Sequence, residues 1–293
     1  MNKILYNRIN RLLALLLLTA CASEGPAVRT TDAEGPVSAR ARNSLAANNP
    51  EGLIRVGEGF ERSGNLQGAM NIYGQAMAAD PALIEAQVSY ARVLIRMGGA
   101  ERGTAMLTAL LADHPENDQV RAGLSKAHIL KGEFKAAELF MQPLLDRPET
   151  SAQYLNLGGM IAQVGGKPVY ARALFGRALD KSVGDPAVLE NMALSFALDE
   201  DYASAVALIQ TAMDRPSGLI SGKVVLATIY ALSGQLEAAM LLARDSMELG
   251  KANERKVFYQ LLPRLTAHER AVAVMFDQVP KDAVDRLTGN AAK

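Results

Sequence analysis

The sequence predicts an all-α fold: about six helix hairpins stacked in a row, closed at the carboxy-terminal end by capping helices. Three observations predict it. A pattern of large, small, aromatic, turn, small, aromatic, small and Pro recurs about every 34 residues between residues 50 and 253. The eighth and twentieth positions of every copy are Gly, Ala or Ser, and two antiparallel helices can approach closely only where such small side chains face each other. Glycines fall between the halves of most copies and prolines near most copy ends. Gly supplies a permissive turn, and Pro stops a helix because it lacks a donor and clashes with the preceding turn.

Taken in order, the chain opens with residues 1–20, a short basic start (Lys3, Arg8, Arg11) followed by the uncharged stretch 12–20. That stretch is too short to cross about 30 Å of hydrocarbon as a helix, so it reads as the apolar part of a signal peptide. It ends Leu18-Thr19-Ala20-Cys21, which resembles the bacterial lipobox. The resemblance implies lipidation of Cys21 and cleavage just before it. Cys21 is the only cysteine, so no disulfide can form within the chain. More than one acyl chain would anchor stably. No Asp follows Cys21, and the resemblance therefore implies the outer membrane, periplasmic face. Residues 21–49 carry only Val28, Val37 and Leu45 as large apolar side chains, with Gly25-Pro26 and Gly35-Pro36 as helix breakers. They read as a flexible tether with a span of roughly 30 Å.

The repeats start near Pro50, Ile84, Asp118, Ser151, Pro186 and Ile220. Their eighth residues are Gly57, Ala91, Ser125, Gly158, Ala193 and Ala227. Their twentieth are Ala69, Gly103, Ala137, Ala171, Ala205 and Ala239, with one extra residue allowed in the fourth turn. The turn glycines are Gly64, Gly98, Gly132, Gly165 and Gly234, and the fifth turn carries Asp199-Glu200-Asp201 instead. Pro143, inside a second helix, should kink that helix or shift its start. This pattern resembles the tetratricopeptide repeat. The resemblance implies a right-handed α-solenoid whose units each bury an apolar face against their neighbours.

Beyond residue 253 the period is lost, and residues 254–293 read as cap and tail. Residues 254–262 form a short amphipathic segment ended by Pro263, and Thr266-Ala267-His268-Glu269 fits a capping box opening a helix through Phe276. Residues 281–293 are expected to fray.

Sequence gives no support to an enzyme. His114, His128 and His268 are isolated, without the partner spacing of a zinc site. Gly158-Gly159 and Gly165-Gly166 lack the strand, Lys and Ser/Thr of a phosphate loop. His128, at an eleventh position where other copies are mostly aromatic or aliphatic, reads as a packed histidine. No cofactor, metal or small-molecule substrate is expected. Without residues 1–20 the chain holds 28 basic and 31 acidic residues, a net charge near −3 that suggests no nucleic-acid partner.

Surface remains. In tetratricopeptide solenoids the second, fifth, ninth and twelfth residues of each first helix line the concave face. Here that stripe includes Ile54, Glu58 and Glu61, then Val88, Arg92 and Ile95, then Lys126 and Ile129. It continues with Leu155, Leu194, Glu190 and Thr228, and would suit a peptide with a charged end and an apolar segment. The signal peptide, tether, repeat number and ending Tyr259-Gln260-Leu261-Leu262-Pro263-Arg264-Leu265 with Glu269-Arg270-Ala271 are similar to the TadD-like proteins of Flp/Tad pilus assembly. That resemblance implies a non-enzymatic, protein-binding lipoprotein that helps a secretin or another pilus component assemble. Other readings of the same features are a type IV pilus pilotin, a component of outer-membrane protein insertion, or an adaptor regulating a peptidoglycan hydrolase.

Overall fold

The computed structural model describes residues 49–288, and all regular structure among them is helical. The expected signal peptide, Cys21 and the expected tether lie outside the described residues, except for Asn49, which caps α1. First helices of the repeats are α1 (Pro50–Arg62), α3 (Ile84–Arg96), α5 (Asp118–Leu130), α7 (Ala152–Val164), α9 (Pro186–Leu198) and α11 (Leu219–Leu232). Second helices are α2 (Leu66–Ala79), α4 (Ala100–Asp113), α6 (Phe134–Leu145), α8 (Pro168–Lys181), α10 (Tyr202–Met213) and α12 (Leu236–Ser246). The cap consists of α13 (Leu249–Leu261), α14 (Ala267–Phe276) and α15 (Lys281–Thr288). The chain divides into two compact units between Ala127 and His128. Within each, helices pair as sequential antiparallel hairpins, the arrangement of a tetratricopeptide-like α-solenoid.

The period is stricter than the sequence reading held. Residues with positive φ recur at Gly64, Gly98, Gly132, Gly166, Glu200 and Gly234, always 34 apart. Every second helix begins two residues later, so Pro143 does not shift the start of α6; it sits inside the helix near its carboxy end. The same closure shapes all six turns: the N–H of the residue after the left-handed one donates to the carbonyl five residues before it. Asn65 to Phe60 (2.9 Å) and Asp201 to Phe196 (3.0 Å) are two examples. Asn65 and Asp201 then cap the next helix by accepting from Gly68 and Ser204 at 2.9 and 3.1 Å.

The fourth repeat is corrected by one residue. Gly166, not Gly165, is the left-handed residue, and no extra residue lies in that turn. Counting from Ala152 makes Gly159, not Gly158, the small residue that faces the second helix. A Cβ on Gly159 would lie 2.4 Å from the Phe175 ring, as one on Gly57 would from Tyr73, 2.4 Å away. Gly158 instead faces Leu145 of α6.

Burial follows the pattern. Ala69, Ala137, Ala171, Ala205 and Ala239 are fully buried, with Tyr73, Leu107, Leu124, Phe175, Ile209 and Ile229 filling the space beside the small contacts. Each of those large side chains is worth about 1.5–3 kcal/mol out of water. Val56 is 49% exposed; no described helix precedes α1 to cover it.

The cap departs from expectation in three ways. Its first helix begins at Leu249, five residues earlier than the amphipathic pattern suggested. Residues expected to fray form α15 as far as Thr288, with Ala283 and Val284 buried; residues 289–293 lie outside the described residues. Most consequentially, α14 does not sit only at the end of the row: it folds back onto α7 and α9. The capping box is present, with Thr266 Oγ1 accepting from Glu269 N at 3.3 Å and Glu269 Oε2 accepting from Thr266 N at 2.8 Å. His268 Nδ1 lies 3.1 Å from the Val164 carbonyl, and Phe134 packs between His268 and Phe276 with ring centroids 5.9 and 5.7 Å away.

Candidate protein-binding surface

Of the ten side chains assigned from sequence to a groove, seven are buried: Ile54, Val88, Ile95, Ile129, Leu155, Leu194 and Thr228. They are corrections to that assignment, for four physical reasons. Ile54, Val88, Ile95 and Ile129 are apolar and are packed within the repeats. Leu155 belonged to the slipped register; counted from Ala152, the stripe of the fourth repeat is Gln153, Asn156, Met160 and Gln163. Leu194 lies in the apolar cluster that also holds Val272, Val274 and Met275 of α14. Thr228 turns its hydroxyl inward, donating to the Val224 carbonyl at 3.1 Å.

In the carboxy-terminal unit the stripe is therefore mostly an internal seam. Asn191 Nδ2 donates to Asn156 Oδ1 at 3.0 Å, and Ser195 Oγ donates to Gln163 Oε1 at 2.6 Å, where both side chains are buried. Ser221 Oγ donates to Glu190 Oε1 at 2.5 Å. Burial pushes the Glu190 carboxyl above the ordinary carboxylate value, against the Ser221 hydrogen bond and with help from Asp185. His128 is packed, its ring stacked on Phe140 at 5.2 Å and Nδ1 2.6 Å from Glu133 Oε2. Among the described residues no group of His, Cys, Asp and Glu is placed to hold a metal ion, and no helix is long and apolar enough to cross a membrane.

Glu58, Arg92 and Lys126 remain partly exposed, all in the amino-terminal unit. Their cluster is built upward from Gly57. Lacking a Cβ, Gly57 lets the Tyr73 ring of α2 lie against α1. That places the Tyr73 hydroxyl to donate to Glu61 Oε2 at 3.1 Å. Glu61, with a side chain only 11% exposed, also receives Arg92 of α3 at 2.5 Å on Oε2 and Arg96 at 3.2 Å on Oε1. Burial first, and then the Glu61 charge, push the Tyr73 hydroxyl above its usual range, so it stays protonated as a donor. Glu58 lies 4.0 Å from Arg62 along its own helix.

Lys126 of α5 completes the cluster. Gly123, one turn earlier, allows α5 to approach so closely that a Cβ there would sit 3.3 Å from Leu107 of α4 and from Val88 of α3. Lys126 is left half-buried beside Arg92. Burial lowers its pKa first and the Arg92 charge lowers it further, while Glu61 raises it in part. Sequence reasoning had Glu61 on the stripe but missed Tyr73 and Arg96 as its partners. The signal was there: a twelfth-position carboxylate, Glu61, precedes a ninth-position cation, Arg92, in the next repeat.

Residues 100–161 match a family model described as tetratricopeptide repeat. No curated protein is significantly similar in sequence to this chain. Among solved structures, the chain is similar to a tetratricopeptide repeat protein from Parabacteroides merdae, with TM-score 0.56, 16% identity, and 83% of this chain and 98% of that one covered. It is similar to PilW, described as a widely conserved type IV pilus biogenesis factor, with TM-score 0.54, 14% identity, and 67% and 91% covered. For pilF of Pseudomonas aeruginosa the TM-score is 0.50 at 16% identity, with 70% and 91% covered. At these identities the likeness establishes the fold.

Proposed function

We propose that this chain is a non-enzymatic, protein-binding scaffold, tethered through an acylated Cys21 to the periplasmic face of a bacterial outer membrane. There it assists assembly of a Flp/Tad-type pilus, with a secretin or another pilus component as partner. The observation that carries the binding role is the charged cluster of Glu61, Arg92, Arg96 and Lys126 on consecutive first helices, with Glu61 at its buried centre and the cations partly exposed around it. Such helix-hairpin stacks present extended faces suited to protein partners. The anchor rests on Leu18-Thr19-Ala20-Cys21 after a signal-peptide pattern. The pilus role rests on the sequence features shared with TadD-like proteins, and the fold likeness to PilF and PilW is in keeping with it. That same likeness favours, as a second reading, a pilotin of type IV pili.

Two experiments test the proposal. Cys21→Ser should leave the protein unacylated with its signal peptide unprocessed; normal acylation of that variant sinks the anchor. A cross-linked pull-down of the native protein from its own outer membrane should recover a secretin or other pilus-assembly proteins. Recovery of a type IV pilus secretin alone moves the assignment to the pilotin. Cell-wall hydrolases or outer-membrane insertion machinery in their place refute the pilus role.

A further inference from the structure

Exposed aliphatic side chains are spread unevenly over the turns of the carboxy-terminal unit. Three successive turns lead from a second helix into the helix that follows it: α8 to α9, α10 to α11 and α12 to α13. At each, a large aliphatic side chain stands in solvent. Val183 marks the first, Leu219 and Ile220 the second and Leu249 the third, and they are 78%, 45%, 66% and 67% exposed in that order. The turns at the other end of the same hairpins, 165–167, 199–201 and 233–235, hold only Gly, Ser, Gln and charged residues. The turn before the row, 146–151, has Glu149 where the 34-residue period places Val183.

Contacts hold these turns side by side. Arg215, entering the second, donates from Nη2 to the Val183 carbonyl at 3.1 Å. Gly218 packs so closely on the start of α9 that a Cβ there would lie 2.9 Å from the Pro186 Cβ. Lys223 Nζ lies 2.6 Å from Asp245 Oδ2, tying the helix after the second turn to the helix before the third. Among the tips stand Lys181, Arg215 and Lys251, each with an acid close by in sequence: Asp180, Asp214 and Glu248. All six are exposed. The row is therefore aliphatic at its tips and close to neutral between them.

A protein partner covering separate projecting tips would also have to bury the charges between them, at a desolvation cost. A lipid interface admits apolar side chains to a depth of about 5–10 Å, while charges stay hydrated among the headgroups and long cationic stems reach out of the apolar layer. The place of the tips in the fold agrees with a lipid surface. Each lies at the amino end of a first or cap helix, and the expected tether from Cys21 joins the repeats at the amino end of a first helix, through Asn49 before α1.

We propose that these three turns form a membrane-contact edge, whose aliphatic tips enter the headgroup boundary of the leaflet that carries the acylated Cys21. The contact comes from apolar insertion and not from attraction to anionic headgroups. An anchor at the far end of a flexible tether leaves the repeats free over roughly 30 Å. A second, weak contact within the same molecule is strengthened by the high local concentration of lipid. The inference rests on the acylated anchor given under the proposed function, and not on the pilus.

The chain contains no tryptophan, so a single one placed at a tip reports on that tip alone. Ile220→Trp and Leu249→Trp are made in the acylated chain, with Leu139→Trp, a comparably exposed position on α6, as control. Each is reconstituted in phosphatidylcholine vesicles with and without brominated acyl chains. Both tip reporters should shift to the blue and lose emission to the bromines, and Leu139→Trp should keep its emission. Adding Ile220→Asp to Leu249→Trp should reduce the quenching, because a charged tip opposes insertion of its neighbour; thermal melts confirm that each variant folds. A chain that floats with the vesicles but leaves its tip reporters unquenched overturns the membrane edge and gives the row to a protein partner. Equal quenching of all three reporters overturns it as well. A chain that does not float refutes the anchor, and this inference with it, so flotation tells the two failures apart.

Discussion

Glu200 holds a backbone position that its five counterparts leave to glycine, with φ at 63°. A side chain in that left-handed region is crowded against its own carbonyl. Glu200→Gly should therefore raise stability by about 1 kcal/mol, read as an increase in the urea midpoint; a decrease would mean that the side chain makes a compensating contact. Glycines in the helices divide by what surrounds them. Gly159→Ala drives a methyl into the Phe175 ring and should cost about 1–3 kcal/mol. Gly176→Ala, on α8 with open space around it, should gain up to about 1 kcal/mol from helix propensity alone. Equal effects in the two would refute the close approach at Gly159. These residues also mark where sequence reading stops. Gly158-Gly159 and Gly165-Gly166 are doublets, and smallness alone cannot say which member faces the partner helix; φ and the ring of Phe175 decide it. For Glu200 the residue type argues against a left-handed turn, and only its place in the 34-residue period announces one.

The six hairpins were legible because each obeys local rules, small residues at the contact and a left-handed closure, with an Asn or Asp cap on the first and fifth. The helix α14 was legible as a helix for the same reason, through Thr266 and Glu269. Its destination was not. Folding back onto α7 and α9 is a tertiary choice, made by the apolar face of Val272, Val274 and Met275 meeting Leu194 and Val164, more than seventy residues earlier. That meeting covers Leu194, one of the residues given to a partner, with the chain's own helix. Val272→Asp, which buries an unpaired carboxylate in this contact, should destabilise the carboxy-terminal unit by about 3 kcal/mol or more. An unchanged melting midpoint would show that α14 is detachable at no cost. Ala205→Arg, at a fully buried contact between α9 and α10, should be at least as damaging.

Over the whole chain, stability should not be even. Among the described residues, the helix α1 has neighbours on one side only, and Val56 is 49% exposed. Both α7 and α9 are flanked by hairpins and overlaid by α14. Backbone amides of α7 and α9 should accordingly outlast those of α1 in native-state hydrogen exchange, and slower exchange in α1 would contradict this packing. Most stacked-repeat proteins behave as one-dimensional arrays in which each unit answers only to the next. The contact of His268 with Val164 joins residues 104 apart and breaks that rule. Its consequence is mechanical. A row of hairpins under tension peels open one at a time, each yielding at small force. Here α14 straps the later hairpins to an earlier one, so a pull along the carboxy-terminal unit meets the buckle first. Extension should come as one abrupt rupture followed by easy unravelling.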